Sequence, residues 1–151
     1  MTTNYLEKYG PALIDQGYDI VPIAKGFKHP KGLAGWQKLH ATHKTQREWV
    51  RSGYPGVGIQ ARHCVGVDLD IYDEEVCKKM KDFVIDVLGP SLVRVGLPPK
   101  VLLPYRTITP FHKVQSQRFI SPDWHIHKVE MLGEGQQWVA YHDHPDTGKP
   151  Y

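Results

Sequence analysis

The run Val65-Gly66-Val67-Asp68-Leu69-Asp70-Ile71 constrains this chain more than any other stretch, because it sets two acids two residues apart inside an apolar, β-prone segment. Successive side chains of a strand point to opposite faces, so Val65, Val67, Leu69 and Ile71 share one face while Gly66, Asp68 and Asp70 share the other. One face can anchor a core; the other presents two carboxylates whose Cα atoms lie about 7 Å apart. Both side chains can then reach one divalent cation or bridge a pair of them. Oxygen-only ligands favour Mg²⁺ or Mn²⁺ over zinc. The spacing is equally compatible with a strand end whose acids face water before the helix start Asp73-Glu74-Glu75.

A chain of 151 residues is long enough for one domain with a real core. Lys and Arg number 19 against 16 Asp and Glu, a mildly basic balance that permits a polyanionic partner without requiring one. Cys64 and Cys77 are too few and too isolated for a zinc site or a disulfide framework. The start Met1-Thr2-Thr3-Asn4-Tyr5 lacks a basic-then-apolar signal pattern, and no apolar run reaches transmembrane length. The expected home is therefore the cytoplasm, with no membrane partner. The closing residues His144-Pro145-Asp146-Thr147-Gly148-Lys149-Pro150-Tyr151 stop inside what reads as a turn, so the chain is expected to be one part of something longer.

Thr3 or Asn4 can cap a first helix running to about Gln16, which Pro11 is expected to kink or split. Residues 18–23 read as a strand, and residues 24–44, rich in Gly, Lys, His and Pro, as a long ordered loop or a binding loop. A short helix is expected from Thr45 through Arg51, strands over 57–60 and 64–71, and the clearest helix from Asp73 to Leu88, stopped by Gly89-Pro90. Further β segments are expected near 101–105, 125–132 and 137–141. Helices and strands mix without strict βαβ alternation, which points to the α+β class.

Glu130 is the candidate third acid, because two aspartates leave much of the charge of two divalent ions uncompensated. It could equally be an edge-strand charge paired with Lys128 or a histidine. Lys25, Lys28, Lys31 and Lys38 sit in the loop beside Trp36, and Arg94, Lys100 and Arg106 flank Gly96-Leu97-Pro98-Pro99 and the strand after it. Such groups neutralise phosphate, and Trp36 in its basic loop is the tryptophan expected to touch a ligand. Trp49, Trp124 and Trp138 are expected as packing residues. The pairs His125-x-His127 and His142-x-His144 lack the further ligands that a zinc site needs. His144 instead shapes a turn or assists a nucleotide phosphate.

Taken in order, Tyr9-Gly10, Gly17-Tyr18, Val21-Pro22-Ile23, Lys28-His29-Pro30, Gly35-Trp36, Gly56-Val57-Gly58-Ile59, Val67-Asp68-Leu69-Asp70 and the stretch from Lys100 to Thr107 resemble the N-terminal primase-polymerase domain of phage and plasmid replication proteins. So do the stretch from Glu130 to Ala140 and the closing residues 144–151. This domain belongs to the archaeo-eukaryotic primase superfamily, and the resemblance spans nearly the whole chain.

The resemblance implies an RRM-like α+β catalytic core, with a mixed or antiparallel sheet and flanking helices, filling residues 1–151 as the N-terminal part of a longer replication protein. It implies a DNA primase and polymerase that joins NTPs or dNTPs on a single-stranded DNA template in a bacterial or phage-infected cell. Asp68, Asp70 and Glu130 stand where the family holds Mg²⁺ or Mn²⁺. Lys100 stands where the family has a phosphate-contacting histidine, which makes Lys100 and Arg106 the expected triphosphate clamp, joined by Arg94, His144 and Lys28. No Gly-x-x-x-x-Gly-Lys-Ser/Thr loop is present, so a helicase or ATPase in the same or a separate chain is the expected partner. Two alternatives stand beside this reading: a metal-dependent nuclease, and a catalytically inactive module that binds nucleotides or single-stranded DNA.

Overall fold

Alternation along the acidic run gives the central strand two unlike faces, and the rest of the fold is arranged around them. In the computed structural model, which describes residues 3–151, β3 (Cys64–Asp70) is the middle of the larger sheet. That sheet runs in the order β4 (Arg94–Val95), β5 (Val101–Arg106), β3, β8 (Ile126–Leu132), β6 (Val114–Gln115), and β7 (Phe119–Ile120) pairs with the start of β8. A smaller sheet has the order β1 (Ile20–Ile23), β2 (Gly56–Gln60), β9 (Gln137–Tyr141). All paired strands are antiparallel, and with the helices they make the expected α+β architecture.

On the valine face of β3, Val67, Leu69 and Ile71 pack with Leu103 and with Cys77 and Val84 of α3 (Glu74–Leu88). The start of α3 is fixed by Asp73, whose carboxylate accepts the Val76 N–H at 2.8 Å, with Glu74 and Glu75 in the first turn complementing the helix dipole. On the opposite face the smaller sheet settles against Gly66. A Cβ at Gly66 would lie 2.9 Å from Leu102 Cδ1 and 3.2 Å from Trp138 Cδ1, so only glycine lets β9 come this close. Ile59, Ala61, Cys64, Leu102, Leu132 and Trp138 form the core between the sheets, and the Trp138 indole N–H donates to the Cys64 carbonyl at 2.9 Å. Further along this face, loops following β1 and β9 replace the smaller sheet as the roof. There Asp68 and Asp70 line a cleft.

Helices α1 (Tyr5–Asp15) and α2 (His43–Arg51) cover the smaller sheet through Leu6, Trp49, Ile20 and Val57. Of the two outcomes expected at Pro11, a split is not realised: α1 runs on from Tyr5 to Asp15. Proline removes one intrahelical hydrogen bond, but Leu6 and Gly10 are buried against α2, where the Gln46 amide donates to the Leu6 carbonyl at 3.0 Å. Tertiary packing therefore holds the helix together. Helix α2 starts earlier than Thr45 because Thr42 and Thr45 cap it reciprocally. The loop after β1, which ends at Thr42, contains a 3₁₀ turn, Trp36–Lys38. Two tryptophans depart from expectation: Trp36 packs against Val21, Ile23 and Val139, whereas Trp124 is 83% exposed. Among the described residues, no helix is long and apolar enough to cross a membrane.

Candidate active site

Strand register assembles the site. Asp68 lies opposite Leu102 on β5 and Glu130 on β8; Leu102 lies opposite Arg94, and Glu130 opposite Gln115. One row across the sheet therefore reads Arg94, Leu102, Asp68, Glu130, Gln115, and directly paired residues share a face. In the next row Asp70 lies opposite Lys128. Lys100, just before β5, places its ammonium 3.1 Å from Asp70 Oδ1 and donates to the Tyr72 hydroxyl at 3.0 Å. Two acids of β3 are thus brought beside a third, some sixty residues on, from the neighbouring strand.

Their electrostatic states differ. Asp68 has no ion-pair partner among the described residues. Burial raises its pKa, Asp70 and Glu130 raise it further, and the attraction of Arg94 and Lys128 does not restore the ordinary value. Asp70 is paired with Lys100. Glu130, buried, is paired through Oε1 with Lys113 at 2.5 Å and Lys128 at 3.0 Å. Burial opposes its ionisation, but these two ammonium groups outweigh burial and hold its pKa below the ordinary value. Pairing with Lys128 is therefore realised, though on a strand between β3 and β6 and not at a sheet edge.

Beside Asp68 and Asp70 the cleft has a volume of about 200 Å³ and is also lined by Lys28, Arg94, Lys100, His144 and Tyr151. Arg94 lies under the Tyr151 ring, 4.7 Å from its centroid, and its buried Nε has no hydrogen-bond partner. Desolvation lowers the Arg94 pKa, with Asp68 the main opposing influence. His144 is buried; its Nδ1 accepts the Asp146 N–H at 3.2 Å, which leaves the proton on Nε2. Desolvation, and then the charge of Lys28, push the His144 pKa down, so the ring is neutral near pH 7. Lys28 spans the mouth to Asp146 at 3.2 Å. Gly96 permits this crowding, since a Cβ there would fall 2.4 Å from Tyr151 Cε1 and 2.8 Å from His144 Cδ2.

Four of the five expected phosphate-binding residues therefore gather at the cleft, and Arg106 does not. It stands at the far end of β5, its guanidinium 4.4 Å from the Tyr18 ring centroid and donating to the Gln16 carbonyl at 3.1 Å. The length of β5, about 20 Å, separates it from Lys100. Sequence reasoning missed Tyr151 and Lys113, which reach the site through a terminal turn and through a two-residue strand. Among the described residues, no three His, Cys, Asp or Glu side chains are grouped closely enough to hold a metal ion. Asp68 and Asp70 are nonetheless an all-oxygen donor pair, and the unpaired Asp68 carboxylate suits a divalent cation. Glu130 could join them only by leaving its lysines.

Residues 11–151 match the family described as bifunctional DNA primase/polymerase, N-terminal. Comparison with curated proteins finds no match.

Proposed function

The chain belongs to the bifunctional DNA primase/polymerase N-terminal family, and from that premise we propose that it catalyses metal-dependent, template-directed nucleotidyl transfer from NTPs or dNTPs on single-stranded DNA. The observation that carries this reading is the side-by-side placement of Asp68, Asp70 and Glu130 next to a cleft lined by Lys28, Arg94 and Lys100. Mg²⁺ or Mn²⁺ held by Asp68 and Asp70, and by Glu130 once freed, would supply Lewis-acid stabilisation of the α-phosphate and acidify the attacking 3′-hydroxyl.

The protein's own side chains do the rest. Lys28 and Lys100 neutralise the triphosphate as point charges, while Arg94 offers a planar fork whose Nε is free to donate. The Nε2–H of neutral His144 is available to a phosphate oxygen. Lys100 also ties Asp70 to the phosphate flank, so it orients a carboxylate as well as supplying charge. This basic flank favours transfer over nucleolysis, because hydrolysis of a DNA strand needs no triphosphate clamp. Unwinding is left to a helicase or ATPase in the same or a separate chain.

Incubation with a primed template, labelled NTPs or dNTPs and Mn²⁺ tests the proposal. Extension that disappears in Asp68→Ala plus Asp70→Ala supports it. Shortening of the DNA selects the nuclease, and binding without turnover selects the inactive module.

A further inference from the structure

We propose that Tyr72, Trp124 and His125 form a stacking platform for the bases of single-stranded DNA at the β8 side of the acid row. This inference rests on the reading above and adds a template-contacting surface to it.

Three observations carry it. Trp124 is 83% exposed and has φ 65, the only positive φ outside glycine among the described residues. A large indole held in solvent gains little from burial, and backbone strain of this kind concentrates at functional positions. Beside it in sequence, His125 stacks on Tyr72 with ring centroids 4.4 Å apart and an interplanar angle of 11°. His125 is anchored at its edge by Asp123 at 2.7 Å, and Tyr72 backs it, held by Lys100, which bonds the Tyr72 hydroxyl at 3.0 Å and lies 4.1 Å from its ring centroid; the half-exposed His125 ring and Trp124 are the faces left to a base. Flat, pre-oriented rings of this kind accept any base.

Charge and position select the occupant. Residues 111–130 carry Lys113, Arg118 and Lys128 against Asp123 and Glu130; Asp123 is paired with His125 and Glu130 with both lysines, so the cation left over is Arg118. Arg118 has no ion pair among the described residues and is free for a phosphate. Lys100 touches both Asp70 and Tyr72, so the platform adjoins the acid row without a gap. Lys100 also lines the basic cleft, so a template base on the platform would lie next to the incoming nucleotide.

Trp124 supplies its own reporter. Trp49 and Trp138 are buried and Trp36 packs on the core, so quenching of tryptophan fluorescence by an unlabelled oligothymidylate reports on Trp124. The wild-type chain should quench and bind. Trp124→Phe should lose the quench and bind within about twofold, because a ring remains, and Trp124→Ala should bind about tenfold more weakly. Arg118→Ala should weaken binding several-fold and reduce its salt dependence. Unchanged thermal melting of all three variants would show that folding is intact. An absent quench, or Trp124→Ala binding like wild type, overturns the platform, including the case in which this surface instead takes a protein. Quenching without extension in Mn²⁺ would sink the transferase reading and leave the platform standing; extension unaffected by Trp124→Ala would do the reverse.

Discussion

On the β5 side of the acid row, Arg94 and Lys100 stand near Asp68 and Asp70 yet leave Asp68 without an ion pair, whereas on the β8 side Lys113 and Lys128 both close on Glu130. The two flanks use the same chemistry, carboxylates among basic side chains, and arrive at opposite energetics. A half-buried carboxylate without a partner costs stability, while a buried one held by two ammonium groups is locked in its ionised form. The β5 flank is therefore poised for a cation from outside, and the β8 flank has already filled that need with its own lysines. Function is expected to track the first flank and stability the second.

The sharpest break in this contrast is activity. Asp68→Asn should lower primer extension by at least about 10³-fold, because it removes a proposed metal ligand from the acid row. Stability should move the other way. Asp68 has a raised folded-state pKa, so the stability linked to its bound proton is complete at low pH and is lost as pH rises through that pKa. At pH 7 the carboxylate is a net cost, and Asp68→Asn should melt at a higher temperature than wild type. A lower melting temperature, or retained extension, would place the cation elsewhere.

Glu130→Gln should show the reverse sign, a loss of about 1–3 kcal/mol at pH 7, since two lysines are left facing a neutral amide and retain some solvent. Its folded-state pKa is lowered, so its contribution is present above the ordinary glutamate value and is lost as pH falls through the depressed one. Melting of both variants against wild type from pH 8 to pH 3 should give gaps of opposite sign. On acidification the Asp68 gap closes first, above the ordinary aspartate value, and the Glu130 gap only below the ordinary glutamate value.

How much of this was legible in the sequence depends on whether a feature is local. Period-two alternation alone put Asp68 and Asp70 on one face, and Asp73 with Gly89-Pro90 bounded α3, because these are relations between neighbours in the chain. Glu130 was placed on a later strand, and Lys128, two residues away on the same face, could be named as its partner, but Lys113 depends on a pairing that leaves no periodic trace. Lys113 reaches it because β6, only Val114–Gln115, adds to the outer side of β8. Trp124 was expected to pack, yet its left-handed turn sends the indole outward, and no composition rule signals that. Tyr151 enters the cleft through the turn after β9, where its ring meets His144 and Arg94.

Lys100 and Arg106 extend the contrast along β5. Lys100→Met removes one charge of the proposed triphosphate clamp and the partner of Asp70, so KM for the incoming nucleotide should rise about tenfold, with a smaller fall in kcat. Unchanged KM would mean that Arg94 and Lys28 hold the triphosphate without it.

Arg106→Ala should do the least, although Arg106 and Lys100 look equivalent in the sequence. Its guanidinium covers Tyr18 and bonds the Gln16 carbonyl on an exposed surface, so its removal should cost about 0.5 kcal/mol of stability and change extension by less than about twofold. Steady-state extension and thermal melting of the two variants side by side check this directly. A KM effect at Arg106 as large as that at Lys100 would require the nucleotide or its template to run the whole length of β5. In that case the boundary between a functional flank and a structural one would lie beyond this strand.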